Sequence, residues 1–214
     1  MIAAQRITYP DSDGRPSAEN TRHFDWIALF KWNLEALFDD RSQVFVAADI
    51  FIYPVEGDNA IRTAPDVYVA IDRPKGPRGS YRVWEEANIF PQVIFEVAAP
   101  TITPEEMEYK FDFYSRFGAE EYYVLQPEGD MSVRAWLRTG SALESVDSAS
   151  LNDFVSPRLG FRLVKRGREV RVHGPNGRRW GTPSEMVTWA KEAERRAERR
   201  DKLRELGLDP DSIG

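Results

Sequence analysis

Residues 64–71 read APDVYVAI, residues 91–100 read PQVIFEVAAP, and a third block at 105–118 reads EEMEYKFDFYSRFG. The first two are short, nearly continuous apolar runs, the pattern of central strands covered on both faces. The third follows Pro104 and opens with Glu105 and Glu106, a favourable start for a helix because acids complement the positive end of its dipole. EYYVLQP, at 121–127, then supplies another apolar run. Strand, strand, helix, strand predicts an α/β core.

The flanking segments extend this core. Residues 1–16 carry the turn-forming YPDSDGRP and predict an ordered or half-ordered arm. Ser17 is the expected N-cap of a long amphipathic helix over 18–38, in which Phe24, Ile27, Ala28, Leu34, Ala36, Leu37 and Phe38 recur at roughly helical spacing and Glu19 falls in the first turn. QVFVAADIFIYPVEG (43–57) predicts one strand, or two with an irregularity, closed by Pro54. Between the two central runs lies a long basic loop, 73–91, carrying Arg73, Lys75, Arg78 and Arg82 among glycines and prolines. Alternating segments at 132–138, 160–164 and 169–175 predict an antiparallel C-terminal extension of the sheet. PSEMVTWAKEAERRAERRDKLRELG (183–207) is a strongly charged terminal helix. Without an internal repeat or a long linker, the chain is expected to form one domain over 1–183, including the arm, with the charged helix and tail at 184–214.

Composition narrows the chemistry. A chain of 214 residues, 42% hydrophobic and 12% aromatic, can bury a core, which excludes a disordered or fibrous protein. It has no cysteine and two histidines, His23 and His173, so a disulfide framework, a thiolate metal site and a histidine-rich zinc centre are all excluded. Any metal here requires oxygen ligands. Apolar runs fall short of the roughly 20 residues that span a bilayer. The start MIAAQRITYPDSDG lacks the basic end and apolar stretch of a signal peptide, and a cytoplasmic protein with no membrane partner is expected. The net charge of -6 argues against a coat for nucleic acid, although a local basic loop can still engage phosphates.

Three residues stand out. Asp66 and Glu96 lie at the ends of the two apolar runs, and Lys110 lies on the helix that follows. Two carboxylates on neighbouring strands can hold a hard divalent cation, and a nearby ammonium can orient a water or stabilise charge on phosphorus. Each residue has a plainer alternative. Asp66 could cap its strand, and Lys110 could pair with Glu106 one turn earlier. Glu96, flanked by apolar residues inside VIFEVAA, is the hardest to dismiss, because a buried carboxylate needs a partner. Glu19 could merely favour its helix N-terminus. His23 reads as a surface or packing residue, and His173 lies in a distal strand; neither has a partner at metal-binding spacing. PKGPRGS lacks the strand-to-helix context and lysine-serine ending of a phosphate loop, and its cations suit backbone contacts better. The terminal helix interleaves arginines with acids and reads as solvated and ion-paired, with a homodimer or partner surface as the alternative.

In these residues the chain resembles the Uma-two family of restriction-endonuclease-like proteins, within the PD-(D/E)XK nuclease superfamily. The resemblance covers most of the chain. It is carried by YPDSDGRPSAENT, VFVAADIFIYPVEG, APDVYVAIDRPKGPRGSY, PQVIFEVAAPTIT, KFDFYSRFGAEEYYVLQP and KLRELGLDPD. It implies a restriction-endonuclease-like mixed sheet flanked by helices, with Asp66 and Glu96 as the metal-binding acidic pair and Glu19 as the acid of the first core helix. The superfamily's usual lysine, two residues after the second acid, is replaced here by Ala98; in this family a lysine from the following helix takes its place, which matches Lys110. Ala99 stands where the family usually has serine. The expected function is a Mg²⁺- or Mn²⁺-dependent DNA endonuclease hydrolysing phosphodiester bonds. The alternative, favoured by Ala99 and the acidic net charge, is a catalytically silent nuclease-fold module that binds DNA through Arg73, Lys75, Arg78 and Arg82 or assembles with a partner.

Overall fold

Alternation along the central strands explains the architecture. In a computed structural model that describes residues 7–12, 14, 18–129 and 131–209, the elements among the described residues run α1 (Thr21–Leu37), β1 (Val44–Ala47), β2 (Ile52–Tyr53), β3 (Val67–Ile71), β4 (Tyr81–Arg82), β5 (Val93–Val97), α2 (Pro104–Phe117), β6 (Glu121–Gln126), β7 (Ser132–Thr139), β8 (Ala142–Ser145), β9 (Phe154–Val155), β10 (Arg162–Arg166), β11 (Glu169–His173) and α3 (Pro183–Glu205). Six strands form a mixed sheet in the order β1-β3-β5-β6-β7-β8, in which only β5 and β6 are parallel neighbours. The crossover between those two is α2, as a parallel pair requires. The fold is therefore mixed α/β, with a sheet flanked by helices.

Successive side chains of each central strand enter opposite cores. Val67, Val69, Val93, Phe95, Val97, Tyr123 and Leu125 meet Ile27, Phe30 and Leu34 of α1 on one face. Tyr68, Ala70, Ile94, Tyr122 and Val124 meet Phe113 and Tyr114 of α2 on the other. Both faces are buried, which is why these strands read as continuous apolar runs. Phe95 sits at the centre of the α1 side, stacked 4.5 Å from Phe30 and 5.2 Å from Tyr123. Phe95→Ala should cost about 3–5 kcal/mol of stability through lost burial and a residual cavity. Chemical denaturation checks this, and a loss below about 1 kcal/mol, the size of an ordinary substitution, would contradict the packing.

Several expectations need correction. The first helix spans Thr21–Leu37, not 18–38; its N-cap is Asn20, whose side chain accepts from the His23 N–H, and no acid lies in its first turn. Glu19 thus precedes the helix, and Ser17, the expected cap, lies outside the described residues. The segment 43–57 is divided: Asp49, at φ 53, turns the chain after β1, so that β2 leaves the main sheet and pairs in parallel with β4. The C-terminal extension is divided too. β7 and β8 continue the main sheet, whereas β9, β10 and β11 form a separate antiparallel sheet. The arm is tied down where it is described, with Tyr9 packed on Tyr53 and Trp84, and the Tyr53 hydroxyl donating to the Pro10 carbonyl.

The chain forms two compact units, 1–180 and 181–214. The second contains α3, which opens with a reciprocal capping box between Thr182 and Glu185 and ends with Lys202 and Arg204 in its last turn. None of the described helices is long and apolar enough to cross a membrane.

Candidate active site

Register brings the two carboxylates together. β3 and β5 are antiparallel with Val67 opposite Phe95, so one further step sets Asp66 beside Glu96 on the face covered by α2. Asp66 lies just before its strand, free of the ladder, and its Oδ2 accepts from the Val97 N–H at 2.6 Å. Helix α2 approaches from above. Thr103 caps it, Pro104 occupies its first turn, and Gly118 ends it in the left-handed region at φ 110. Within that helix Lys110 and Tyr114, one turn apart, share a face and both point at Glu96.

Glu96 is 1% exposed. Its Oε2 accepts from Lys110 Nζ at 2.7 Å, and its Oε1 accepts from the Tyr114 hydroxyl, which lies 3.5 Å from Thr63 Oγ1. Burial pushes the Glu96 carboxyl up to about 7; Lys110 pulls it down, and neighbouring Asp66 adds to the rise. Burial alone would lower Lys110, but the Glu96 and Asp66 carboxylates carry its ammonium above the ordinary lysine range. Lys110 therefore pairs with Glu96 rather than with Glu106 on its own helix.

Sequence reasoning missed His23. Only 8% exposed, it places Nε2 3.4 Å from Asp66 Oδ2 and accepts at Nδ1 from the Glu19 N–H at 3.3 Å. The accepting Nδ1 makes the neutral ring an Nε2–H tautomer that donates to Asp66. That hydrogen bond raises its pKa; burial opposes the rise, and the charges of Asp66, Glu19 and Glu96 add to it. A signal existed: His23 continues the buried stripe Ile27, Phe30 and Leu34 backwards by one turn. Glu19, although outside the helix, reaches the same place and accepts from the Thr101 hydroxyl.

These groups line one open cavity of about 890 Å³, which holds Glu19, His23, Asp66, Glu96 and Lys110 together with Arg62 and Tyr109. Among the described residues no three His, Cys, Asp or Glu side chains are grouped so as to hold a metal ion by themselves. The basic loop is directed elsewhere. Lys75 Nζ donates to the Phe38 and Asp39 carbonyls, Arg78 pairs with Glu86 and lies over the Phe45 ring, Arg82 pairs with Glu85, and Arg73 donates to the Asp72 carbonyl. None of these four cations lines the acidic cavity.

A family model described as "Uma2: Putative restriction endonuclease" matches residues 5–170. Among solved structures, the chain is similar to "a putative nuclease belonging to DUF820" from Anabaena variabilis ATCC 29413, with 13% sequence identity, a TM-score of 0.47 and coverage of 64% of this chain and 72% of that one. No curated protein matches the chain.

Proposed function

The chain belongs to the Uma2 family, and from that premise we propose that it is a divalent-metal-dependent endonuclease that hydrolyses DNA phosphodiester bonds at the cavity containing Asp66, Glu96 and Lys110. The observation that carries this reading is the convergence of Asp66 just before β3, Glu96 of β5 and Lys110 of α2 on one open cavity. Restriction-endonuclease-like families generally use divalent metals.

The donor set fits a hard cation. Asp66 and Glu96 offer carboxylate oxygens close enough for the Asp66 charge to disfavour ionisation of Glu96, a repulsion that a divalent ion relieves. Among the described residues no group of three such ligands is formed, so water and phosphate oxygens, with Glu19 at the rim, would complete the shell. A bound ion supplies Lewis acidity at phosphorus and a lowered pKa for its water. The chain does the rest. His23 and the Val97 N–H hold Asp66 by Oδ2, and Oδ1 would serve a ligand. Tyr114 holds Glu96 by Oε1. Lys110, seated on Oε2, neutralises the site before substrate arrives and then orients the attacking water or meets charge on the phosphate. Glu19 stands at the rim as a further acid toward water or metal.

Incubation of the purified protein with plasmid and single-stranded DNA in Mg²⁺ or Mn²⁺, against a chelator control, tests this reading. Metal-dependent cutting is expected, and its absence from every substrate would overturn the proposal. The rise of the Glu96 carboxyl to about 7 also sets the pH dependence. Metal binds the carboxylate and competes with its proton, so at sub-saturating metal the rate should climb about tenfold from pH 6 to pH 8 and flatten above. A rate independent of pH over that range would show Glu96 to be ionised throughout.

A further inference from the structure

A second cavity of about 550 Å³ adjoins the acidic one across the turn at 99–102, whose Ala99 and Ile102 line both. Its walls are aromatic. Trp136 of β7 stacks on Tyr122 of β6, with centroids 5.1 Å apart and planes at 22°, and Phe111 of α2 stands 5.7 Å from Trp136. The guanidinium of Arg134 lies over the Trp136 ring at 5.4 Å and makes no ion pair among the described residues, unlike Lys110, Arg78 and Arg82. Gln126 and Glu108 supply polar groups at the edge.

Its position relative to the carboxylates is set by register. Glu96 pairs with Val124, and Val124 pairs with Arg134, so Arg134 lies on the same cross-strand row as Glu96, two strands away. At the usual strand spacing that separation is about 10 Å. A nucleotide whose phosphate sits at Glu96 and Asp66 can therefore place its base, or the base next to it, against Trp136. Resting on the nuclease reading of the acidic site, we propose that this cavity receives an unpaired nucleobase of the substrate strand, stacked on Trp136 and met by the Arg134 cation. The volume is that of a small-ligand pocket, and an aromatic face with one cation is the usual platform for single-stranded nucleic acid. Substrates would be single strands, or duplexes from which one base is extruded.

The test is a binding experiment in chelator, so that cleavage plays no part. A single-stranded oligonucleotide is scanned with one abasic site at each position, against the parent, Trp136→Leu and Arg134→Ala; the last replaces an exposed side chain and leaves the fold intact. In the parent, one position should be sensitive, its missing base weakening binding about 5- to 100-fold. In Trp136→Leu, with its melting temperature checked, the same abasic site should cost nothing further. Arg134→Ala should reduce the penalty partway. The same scan on a duplex distinguishes extrusion from a preference for single strands. Binding with no sensitive position, or an equal penalty in parent and Trp136→Leu, would overturn the base pocket and leave the acidic site untouched. Failure of the parent to bind or cut any DNA would overturn the nuclease reading, and the base pocket with it.

Discussion

Glu96→Gln and Asp66→Asn should each reduce metal-dependent DNA cleavage by about 10³-fold or more while leaving a folded protein, because each removes a full charge from the cation's ligand set and little volume from the core. Glu96→Gln is the sharper of the two. The amide retains the shape of the side chain and can accept from Tyr114 or Lys110, but it cannot supply a carboxylate oxygen. Its stability in the absence of metal should fall below that of the parent, since Lys110 is left buried without its anionic partner, while the retained shape and hydrogen bonds keep the protein folded. Cleavage by either variant at the parental rate, with circular dichroism showing a folded protein, would dissociate the two acids from the chemistry.

Lys110→Met should damage both activity and stability, and the pH dependence of the stability loss separates the two roles. Glu96 and Lys110 form a buried pair, with side chains 1% and 14% exposed. Removing one partner of such a pair typically costs about 3–5 kcal/mol, because the remaining charge is left without compensation. Glu96 can escape that cost by keeping its proton. Without the ammonium its folded-state pKa rises further, so the deficit relative to the parent is present above about pH 7, where the parent's Glu96 is ionised, and shrinks as the pH falls and both proteins carry a neutral Glu96. Cleavage should fall about 10²- to 10³-fold at every pH. Lys110→Arg keeps the charge and should recover most of the stability, but not the rate, since a planar guanidinium does not replace a compact ammonium at one oxygen. Equal stability of Lys110→Met and parent at pH 8 would mean that the ion pair is not formed in solution.

Much of this was legible in the chain, for physical reasons. Strands β3 and β5 and helix α2 announce themselves by local apolar pattern and capping chemistry, and Glu96 by being a charge inside an apolar run. That Asp66 faces Glu96 is a matter of antiparallel register, which no local pattern encodes. His23 was passed over because a histidine followed by Phe24 and Trp26 was judged by its neighbours in sequence; the stripe that buries it runs in steps of one turn. The basic loop was legible as a cluster of cations, but their partners within the chain were not: Arg78 meets Glu86 eight residues on, and Lys75 reaches back to carbonyls near the end of α1. Alternation likewise revealed β7, β10 and β11 as antiparallel strands and could not tell which sheet each would join.

Titration of the parent protein with Mn²⁺ by calorimetry at pH 8, beside Asp66→Asn and Glu96→Gln, bears most directly on the central claim. Binding of Mn²⁺ by the parent and loss of that binding in both variants is the predicted result. Binding of equal affinity in all three proteins would place the metal elsewhere and contradict the assignment of Asp66 and Glu96.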